Sequence, residues 1–356
     1  MKFIHIADVH WGMTPDSDKP WSRDRAQAIK DTFSEIIRQA RLRDVDCLFI
    51  AGDLFHRQPL LRDLKEVNYL FSTIPGVRVI IIAGNHDRIR PSSAMMSFQW
   101  CPNVTWIMEE ELTSVTFDEL NLEVQGFSYH TTEINESRLN GLHAPDTLHI
   151  HVLMAHGGDA AHLPLDKPQL AEAGFSYIAL GHIHKPEIAP NLSYAYPGSS
   201  EPLDKTETGQ HGMIVGEISP TTYKITSLEF VPMAQIQYIS LAVHVTPATT
   251  NGELCSSITD EIQKRGTDHI YRFRIRGMRD PDIVFDLEAL EKRLQIAEII
   301  DESEPQYDFS QLFAEHPSDM IGFYIRALQK DDASEVEKKA LYYGIDALLR
   351  TTDERS

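Results

Sequence analysis

Val77-Arg78-Val79-Ile80-Ile81-Ile82-Ala83-Gly84-Asn85-His86-Asp87 is a β-branched and aliphatic run that breaks into a glycine turn bearing an amide, an imidazole and a carboxylate. A continuous apolar run of this length predicts a strand buried on both faces. The pattern recurs through the first half of the chain. Phe3–Ala7 leads into Asp8-Val9-His10, and Cys47–Ala51 into Gly52-Asp53. His151–Ala155 leads into His156-Gly157-Gly158, and Tyr177–Leu180 into Gly181-His182-Ile183-His184. Between the runs, Ala26, Ile29, Phe33, Ile36, Ile37 and Ala40 recur at helical spacing, as do Leu61, Leu64, Val67, Leu70 and Phe71. Strands alternating with amphipathic helices predict an α/β sheet with covered faces. Ligands of such sheets bind beyond the carboxyl ends of the strands, where every polar cluster falls, so the clusters are expected to converge on one sheet edge.

Past His184 the texture changes. Ser193–Tyr196, Gly212–Ile218 and Tyr223–Phe230 read as consecutive strands closing a second sheet, and Val231-Pro232 reads as a boundary. A strand (Tyr238–Val245), a helix (about Gly252–Lys264), a strand (His269–Arg276) and a helix (about Leu287–Ile300) would make a small α+β domain. Gln306–Ser318 reads as connector, followed by helices at Met320–Gln329 and Glu335–Leu349, with Ser334 and Glu337 as a capping box for the second. The expected division is 1–230, 231–310 and 311–356. The last two helices carry one apolar stripe each, and a hairpin this short needs a further surface to bury both.

The chain has 356 residues, 53 acids against 33 bases, and a net charge of −20. Proteins that embrace nucleic acid broadly are usually basic, so few phosphate contacts are expected. No apolar run reaches a membrane-spanning length of about 18 residues. The opening apolar run is short and meets Asp8, so no secretory leader is expected. The three scattered cysteines form no CxxC, which predicts reduced thiols and a cytoplasmic setting.

Asp8, His10, Asp53, Asn85, His156, His182 and His184 together offer carboxylates, imidazoles and an amide oxygen, without thiolates. Such donors suit divalent Mn, Fe or Zn, and a bridging carboxylate can hold two ions about 3.5–4 Å apart. Single histidines are usually surface or core residues. Five separate strand-end clusters made only of ligand types are not explained that way. His182 and His184, like Asp8 and His10, are two apart, so extended backbone would turn both toward the same side.

These blocks, Asp8-Val9-His10, Gly52-Asp53, Gly84-Asn85-His86-Asp87, His156 and Gly181-His182-Ile183-His184, resemble in order the five signature blocks of calcineurin-like metallophosphoesterases. The resemblance implies a four-layer αββα sandwich and two divalent ions, manganese first with iron or zinc as alternatives. It implies that Asp8, His10, Asp53 and His184 hold one ion and Asp53, Asn85, His156 and His182 the other, with Asp53 bridging. By the same resemblance His86 contacts the scissile phosphate and assists the leaving oxygen, Asp87 orients its loop, and a metal-bound water or hydroxide is the nucleophile.

Within that superfamily the chain resembles the SbcD-type (YhaO-like) nuclease subunits of DNA double-strand-break repair. Gly52-Asp53-Leu54-Phe55-His56 carries their additional histidine, His56. Tyr196-Pro197-Gly198-Ser199 resembles a loop they place near DNA, and a cap-sized region and a helical tail follow. This resemblance implies a DNA exonuclease or endonuclease, a homodimer formed through Leu60–Thr73 and Ser92–Trp100, and an SbcC-like coiled-coil ATPase docked on the C-terminal helices. The alternatives are a phosphoesterase acting on a cyclic nucleotide or phosphoprotein, or a catalytically weak scaffold for such an ATPase. Arg57, Arg62, Arg88 and Arg90 flank the metal loops. Arg272, Arg274 and Arg276 alternate with Tyr271, Phe273 and Ile275, giving one strand face that is cationic and either solvated or a DNA contact.

Overall fold

The apolar runs form two six-stranded sheets in the computed structural model, which describes residues 1–353 apart from 146, 147 and 331. The first sheet contains β1 (Lys2–Ile6), β2 (Cys47–Ala51), β3 (Arg78–Ile82) and β4 (Val104–Ile107), all parallel. The second is built on β5 (Thr113–Phe117), β6 (Leu122–Gly126), β7 (Ile150–His156), β8 (Tyr177–Gly181), β9 (Glu187–Ile188) and β10 (Tyr194–Tyr196). Here β6, β7, β8 and β10 run parallel, with β5 and β9 antiparallel at the edges. Then β11 (Gly212–Ile218) and β12 (Ile225–Pro232) return to the first sheet, beside β1. The expectation that they close the second sheet is therefore corrected: only Tyr194–Tyr196 joins it.

Alternation within each strand explains the layering. Phe3, Phe49, Ile80 and Ile82 face Val124, Val152, Met154 and Ala179 in a dry core between the sheets. The alternate residues Ile4, Ile6, Leu48, Ile50, Val79 and Ile81 face outward, onto α1 (Ser22–Leu42) and α2 (Leu61–Ser72), through Phe33, Ile36, Leu64 and Phe71. Outside the second sheet, Leu153, Ala155, Ile178 and Leu180 are covered by Leu163, Phe175 and Leu170 of the short α3 (Lys167–Ala171). The result is the expected αββα order, with the second outer layer made largely of loops.

A buried ion pair ties α1 to the chain that follows β10. Arg25 and Glu201 are both fully buried, with Nη1 donating to Oε2 at 3.3 Å. Glu201 Oε1 accepts from Thr32 Oγ1 and from the Gln235 amide, each at 2.6 Å.

Met1–Ile239, with Asp268–Ile270, forms one compact unit; Ser240–Thr267 and Tyr271–Ser356 form a second. The second contains β13 (Tyr238–Val245, from Ser240 onward), α4 (Asn251–Arg265), β14 (Ile270–Arg279, from Tyr271 onward), α5 (Leu287–Arg293), β15 (Ile296–Asp301), β16 (Glu304–Pro305), α6 (Phe309–Glu315), α7 (Met320–Leu328) and α8 (Glu335–Asp353). The helix expected over Leu287–Ile300 stops at Arg293. Its second half, rich in isoleucine, becomes strand β15, parallel to β14. The expected connector contains α6, started by Asp308 accepting from the Ser310 and Gln311 amides. Phe309, Leu312 and Phe313 around α6 pack against Ile321, Ile325, Leu341 and Ile345, so α6 is a surface the hairpin required. The Ser334–Glu337 capping box forms.

On β14, Arg272 pairs with Glu298, and Arg274 and Arg276 pair with Glu302, while Tyr271, Phe273 and Ile275 are buried. The cationic face is neutralised by its neighbours. Among the described residues no helix is long and apolar enough to cross a membrane.

Candidate metal centre

The site lies where carboxyl ends of both sheets meet, not at one sheet edge as expected. Asp8 and His10 follow β1, Asp53 follows β2 and Asn85 follows β3. His156 ends β7, and His182 and His184 follow β8. The loops are laced together by their backbones: Asp8 N–H donates to the Gly52 carbonyl at 3.1 Å and His10 N–H to that of Asp53 at 3.0 Å. The His182 amide, from the other sheet, donates to Asp8 Oδ2 at 2.9 Å.

The alternation argument for Asp8/His10 and His182/His184 does not hold. Asp8, His10 and Asp53 have φ near +50°, and His182 has φ of 89°, all in the left-handed region. Such conformations cost roughly 1–3 kcal/mol each and persist where surroundings over-determine them. Tight turns, not extended backbone, aim these side chains.

Gly84 shows how close the packing is. A Cβ there would lie 2.2 Å from Asp53 Oδ1 and 2.7 Å from His156 Nε2.

Most of the expected ligands are brought together. Donor atoms of Asp8, His10 and His184 lie within 4.8 Å of one another, as do those of Asp8, Asp53 and His156. His10 Nε2 is 3.7 Å from Asp53 Oδ2, and His184 Nε2 is 3.7 Å from Asp8 Oδ1. His156 Nε2 is 3.3 Å from Asp53 Oδ2 and 3.2 Å from Asn85 Oδ1. His182 stands slightly apart: its ring centroid is 5.3 Å from that of His156, but its Nε2 is turned to Asp159 at 2.7 Å, which leaves Nδ1 as its remaining ligand atom.

The ring nitrogens that face away from the centre are held. His156 Nδ1 donates to the Ala51 carbonyl at 2.9 Å, and His184 Nδ1 meets Glu207 Oε1 at 2.7 Å. His10 Nδ1 is 3.2 Å from Nδ1 of His56. Metal-binding imidazoles are characteristically oriented in this way, through the nitrogen that does not ligate. Asp159 and Glu207, which hold the candidate ligands His182 and His184, are residues that sequence reading missed. Asp159 directly follows His156-Gly157-Gly158, a usable signal; Glu207 lies in a polar loop with none. Ser199, of the motif read as lying near DNA, is fully buried and donates to Glu207 Oε2 at 2.9 Å. Tyr196 is also buried, and donates to the Gly157 carbonyl at 3.1 Å. The motif braces the centre from behind.

His86 is exposed; its Nδ1 meets the His56 carbonyl at 3.0 Å, and its ring stacks on His56 with centroids 5.1 Å apart. The His86 backbone amide donates to Asp53 Oδ1 at 2.9 Å. Asp87 is fully buried and accepts from the Gly84 amide at 2.8 Å and the Phe55 amide at 3.1 Å. Burial, reinforced by Asp53, pushes its carboxyl up to about 7. Asp87 ties two loops together and does not reach the centre, so it is a positioning residue.

The electrostatics ask for cations. Burial, with Asp53 adding, raises the Asp8 carboxyl above the usual range. Burial pushes Asp53 up too, but His156 and His10 outweigh it and hold Asp53 low. Burial drives His10 well below its ordinary value and His182 down to about 4. Burial is outweighed by Asp53 at His156 and by Glu207 and Asp8 at His184, both held up at about 9, so the acids draw positive charge onto these two rings. Asp8 Oδ1 and His10 Nε2 are buried without any hydrogen-bond partner. Orphaned buried polar atoms are rare, and two of them beside adjacent carboxylates fit divalent metal.

The family comparison agrees with this arrangement. Residues 1–186 match the calcineurin-like phosphoesterase model. The chain belongs to the calcineurin-like phosphoesterase family. Members of this family hydrolyse phosphoester bonds with divalent metal ions. The chain is similar to an uncharacterized metallophosphoesterase, YhaO, of Bacillus subtilis, 26% identical over 304 residues that cover 78% of this chain and 72% of that protein. It is also similar to the DNA double-strand break repair protein Mre11 of Methanopyrus kandleri (28% identical, 59% of this chain and 52% of that protein). The likeness to Mre11 of Archaeoglobus fulgidus is 30% over the same shares. The matched part of this calcineurin-like phosphoesterase thus spans about half the length of those Mre11 proteins.

Proposed function

We propose that the chain is a two-metal phosphodiesterase acting on DNA, an exonuclease or endonuclease of SbcD type. The observation that carries the chemistry is the buried Asp8, His10, Asp53 and His156 cluster with its orphaned donor atoms. The DNA substrate is supported by the likeness to proteins named for double-strand break repair.

Asp8, His10, Asp53 and His184 would hold one ion, and Asp53, Asn85, His156 and His182 the other. Bound there, two divalent ions, manganese first and iron or zinc as alternatives, would lower the pKa of water and neutralise phosphoryl oxygens. His86 would touch the scissile phosphate through Nε2, which remains because Nδ1–H donates to the His56 carbonyl, and in its imidazolium form would give the Nε2 proton to the departing oxygen. His56 supports that role by stacking under His86 while steadying His10. Glu207 and Asp159 keep His184 and His182 oriented.

The assembly is part of the same reading. Leu60, Leu61, Tyr69 and Met96 are exposed along α2 and the turn after β3, and are the residues through which a homodimer would form. Met95 is buried, and Phe98 and Trp100 pack onto the chain's own core, so they are removed from that surface. Met320, Phe323, Val336 and Tyr343 stay exposed on α7 and α8 and are proposed to dock an SbcC-like ATPase. The proposed setting is cytoplasmic, and the proposed division remains 1–230, 231–310 and 311–356.

The test is Mn²⁺-dependent hydrolysis of linear and nicked duplex DNA beside bis-p-nitrophenyl phosphate. Nucleotide release that Asp53→Asn abolishes is expected. Hydrolysis of the small diester without any cleavage of DNA would overturn the substrate assignment, and no hydrolysis of either would overturn the reaction.

A further inference from the structure

Beside the metal loops lies a cavity of about 470 Å³, with Arg57, Arg88, Arg90 and Thr132 in its lining next to His56 and His86. It is cationic in a chain of net charge −20. Many arginines elsewhere pair with an acid, among them Arg25 with Glu201, Arg43 with Glu229, Arg78 with Glu119, Arg138 with Glu110 and Arg272 with Glu298, whereas here three gather on one cavity. Among the described residues, Arg57, Arg88 and Arg90 have no carboxylate at ion-pair distance, and the lining contains no Asp or Glu.

The three come from two loops. Arg57 follows β2 beyond the turn that carries Asp53 and His56, and Arg88 and Arg90 follow β3 beyond Asn85-His86-Asp87. Arg88 and Arg90 are half-buried. Arg88 Nη1 donates to the Asn85 carbonyl at 3.3 Å, and Gln58 Nε2 donates to the Arg88 carbonyl at 2.8 Å, which holds the two loops in one arrangement. Asp87, buried beneath, ties the same loops through the Phe55 and Gly84 amides. Guanidinium groups left unpaired on a fixed wall are suited to bidentate recognition of phosphate oxygens. Since His86 also lines the cavity, whatever binds there adjoins the group His86 touches.

We propose that this cavity is a subsite for a second phosphate group, next to the phosphodiester being cleaved, held by Arg57, Arg88 and Arg90 with the Thr132 hydroxyl. The inference rests on the phosphodiesterase reading and narrows it: the preferred substrate carries a phosphate on a nucleoside adjoining the scissile bond. Interior bonds of a strand and phosphorylated ends qualify, whereas an isolated diester flanked by neutral groups fills only half of the site.

The probes are two thymidine dinucleotides, TpT with its single diester and pTpTp with terminal phosphates on both sides. Binding is measured by titration calorimetry on the full-length chain with Ca²⁺ in place of Mn²⁺ to suppress hydrolysis, and kcat/KM is measured separately with Mn²⁺. Charge-assisted hydrogen bonds of this kind correspond to about tenfold or more in affinity per arginine. The wild type is therefore expected to favour pTpTp over TpT by well over tenfold, and Arg88→Gln with Arg90→Gln to cut that ratio by about tenfold for each arginine removed. Arg90→Lys keeps part of it, because a point charge remains without the fork. Arg57→Gln gives an independent variant should the double substitution unfold, and Arg41→Gln, in the last turn of α1, leaves the ratio as it was. Equal binding of the two dinucleotides by the wild type, or a preference left undiminished by both the double substitution and Arg57→Gln, would overturn the subsite. A binding preference without hydrolysis of either dinucleotide would leave the subsite standing and remove the phosphodiesterase reading instead.

Discussion

Glu207→Gln and Asp159→Asn separate the two proposed metal positions, because each acid orients a different histidine. Glu207 Oε1 faces His184 Nδ1 at 2.7 Å, while Oε2 accepts from Ser199 Oγ at 2.9 Å and the Leu203 amide at 3.0 Å. An amide in this place has one acceptor where two are used. If its oxygen stays on His184, its NH₂ meets the Leu203 N–H. If it turns over, its NH₂ meets the His184 ring nitrogen that must donate. Either way one charge-assisted hydrogen bond is lost, and the imidazole loses a fixed orientation and some basicity. Losing such a partner costs a metal site about 10- to 100-fold in affinity, or about 1.4–2.7 kcal/mol. Asp159 stands in the same relation to His182, with Oδ2 at 2.7 Å from Nε2, and is fixed in turn by accepting from the Ala161 and His162 amides.

Manganese titrated into the full chain and followed by calorimetry and electron paramagnetic resonance should resolve two affinities. Glu207→Gln should weaken the position served by Asp8, His10 and His184. Asp159→Asn should weaken the one served by Asn85, His156 and His182. Each should spare the other position to within about threefold, since the affected hydrogen bond reaches only one ligand. Equal weakening of both positions by either variant, or no weakening by both, would refute the division of ligands.

Three further outcomes follow from the geometry. His86→Ala should abolish phosphodiester hydrolysis yet retain both ions by elemental analysis, because it is the backbone amide of residue 86, not its side chain, that binds Asp53. Arg25→Met should destabilise the protein by about 3–5 kcal/mol by leaving the Glu201 carboxylate buried without a counter-charge; chemical denaturation should show part of the loss regained on adding Glu201→Gln. His5 is fully buried, with Nδ1 at 2.8 Å from the Tyr177 hydroxyl, and burial pushes its imidazole down to about 3. The unfolded chain therefore takes up this proton below about pH 6.5 while the folded chain does not, so stability is complete above that pH and falls below it, by about 2 kcal/mol at pH 5. Denaturation curves at pH 7 and pH 5 should show a smaller difference for His5→Asn than for the wild type.

The αββα core was legible because it is built from strands buried on both faces, whose apolar runs need no partner to be recognised. What escaped was what depends on partners. β4, β5 and β6 have polar residues inside their runs, and Thr113–Phe117 is half polar because it lies at an edge. β11 and β12 looked like continuations of β10, and pairing with β1 is a long-range choice that local pattern does not encode. Ile296–Asp301 has the same isoleucines that a helix face would need, and becomes strand by pairing with β14.

In the centre, the proposed ligands could be named from sequence because each sits directly after such a strand, in a turn whose residue types are restricted by chemistry. The turns themselves were misjudged. Alternation along extended backbone would pair Asp8 with His10 and His182 with His184, yet left-handed residues do that work. Asp and His tolerate a positive φ better than branched residues, so the ligand types needed by the chemistry are also ones this backbone can accept. The acids behind the histidines were harder to see, since one Asp or Glu in a polar loop looks like any other in a chain with 53 of them. Glu207 becomes visible only when Ser199, Leu203 and His184 are seen to converge on it. The same reasoning picks out Arg57, Arg88 and Arg90: three arginines gathered on one cavity whose lining holds no acid are what the proposed phosphate subsite rests on.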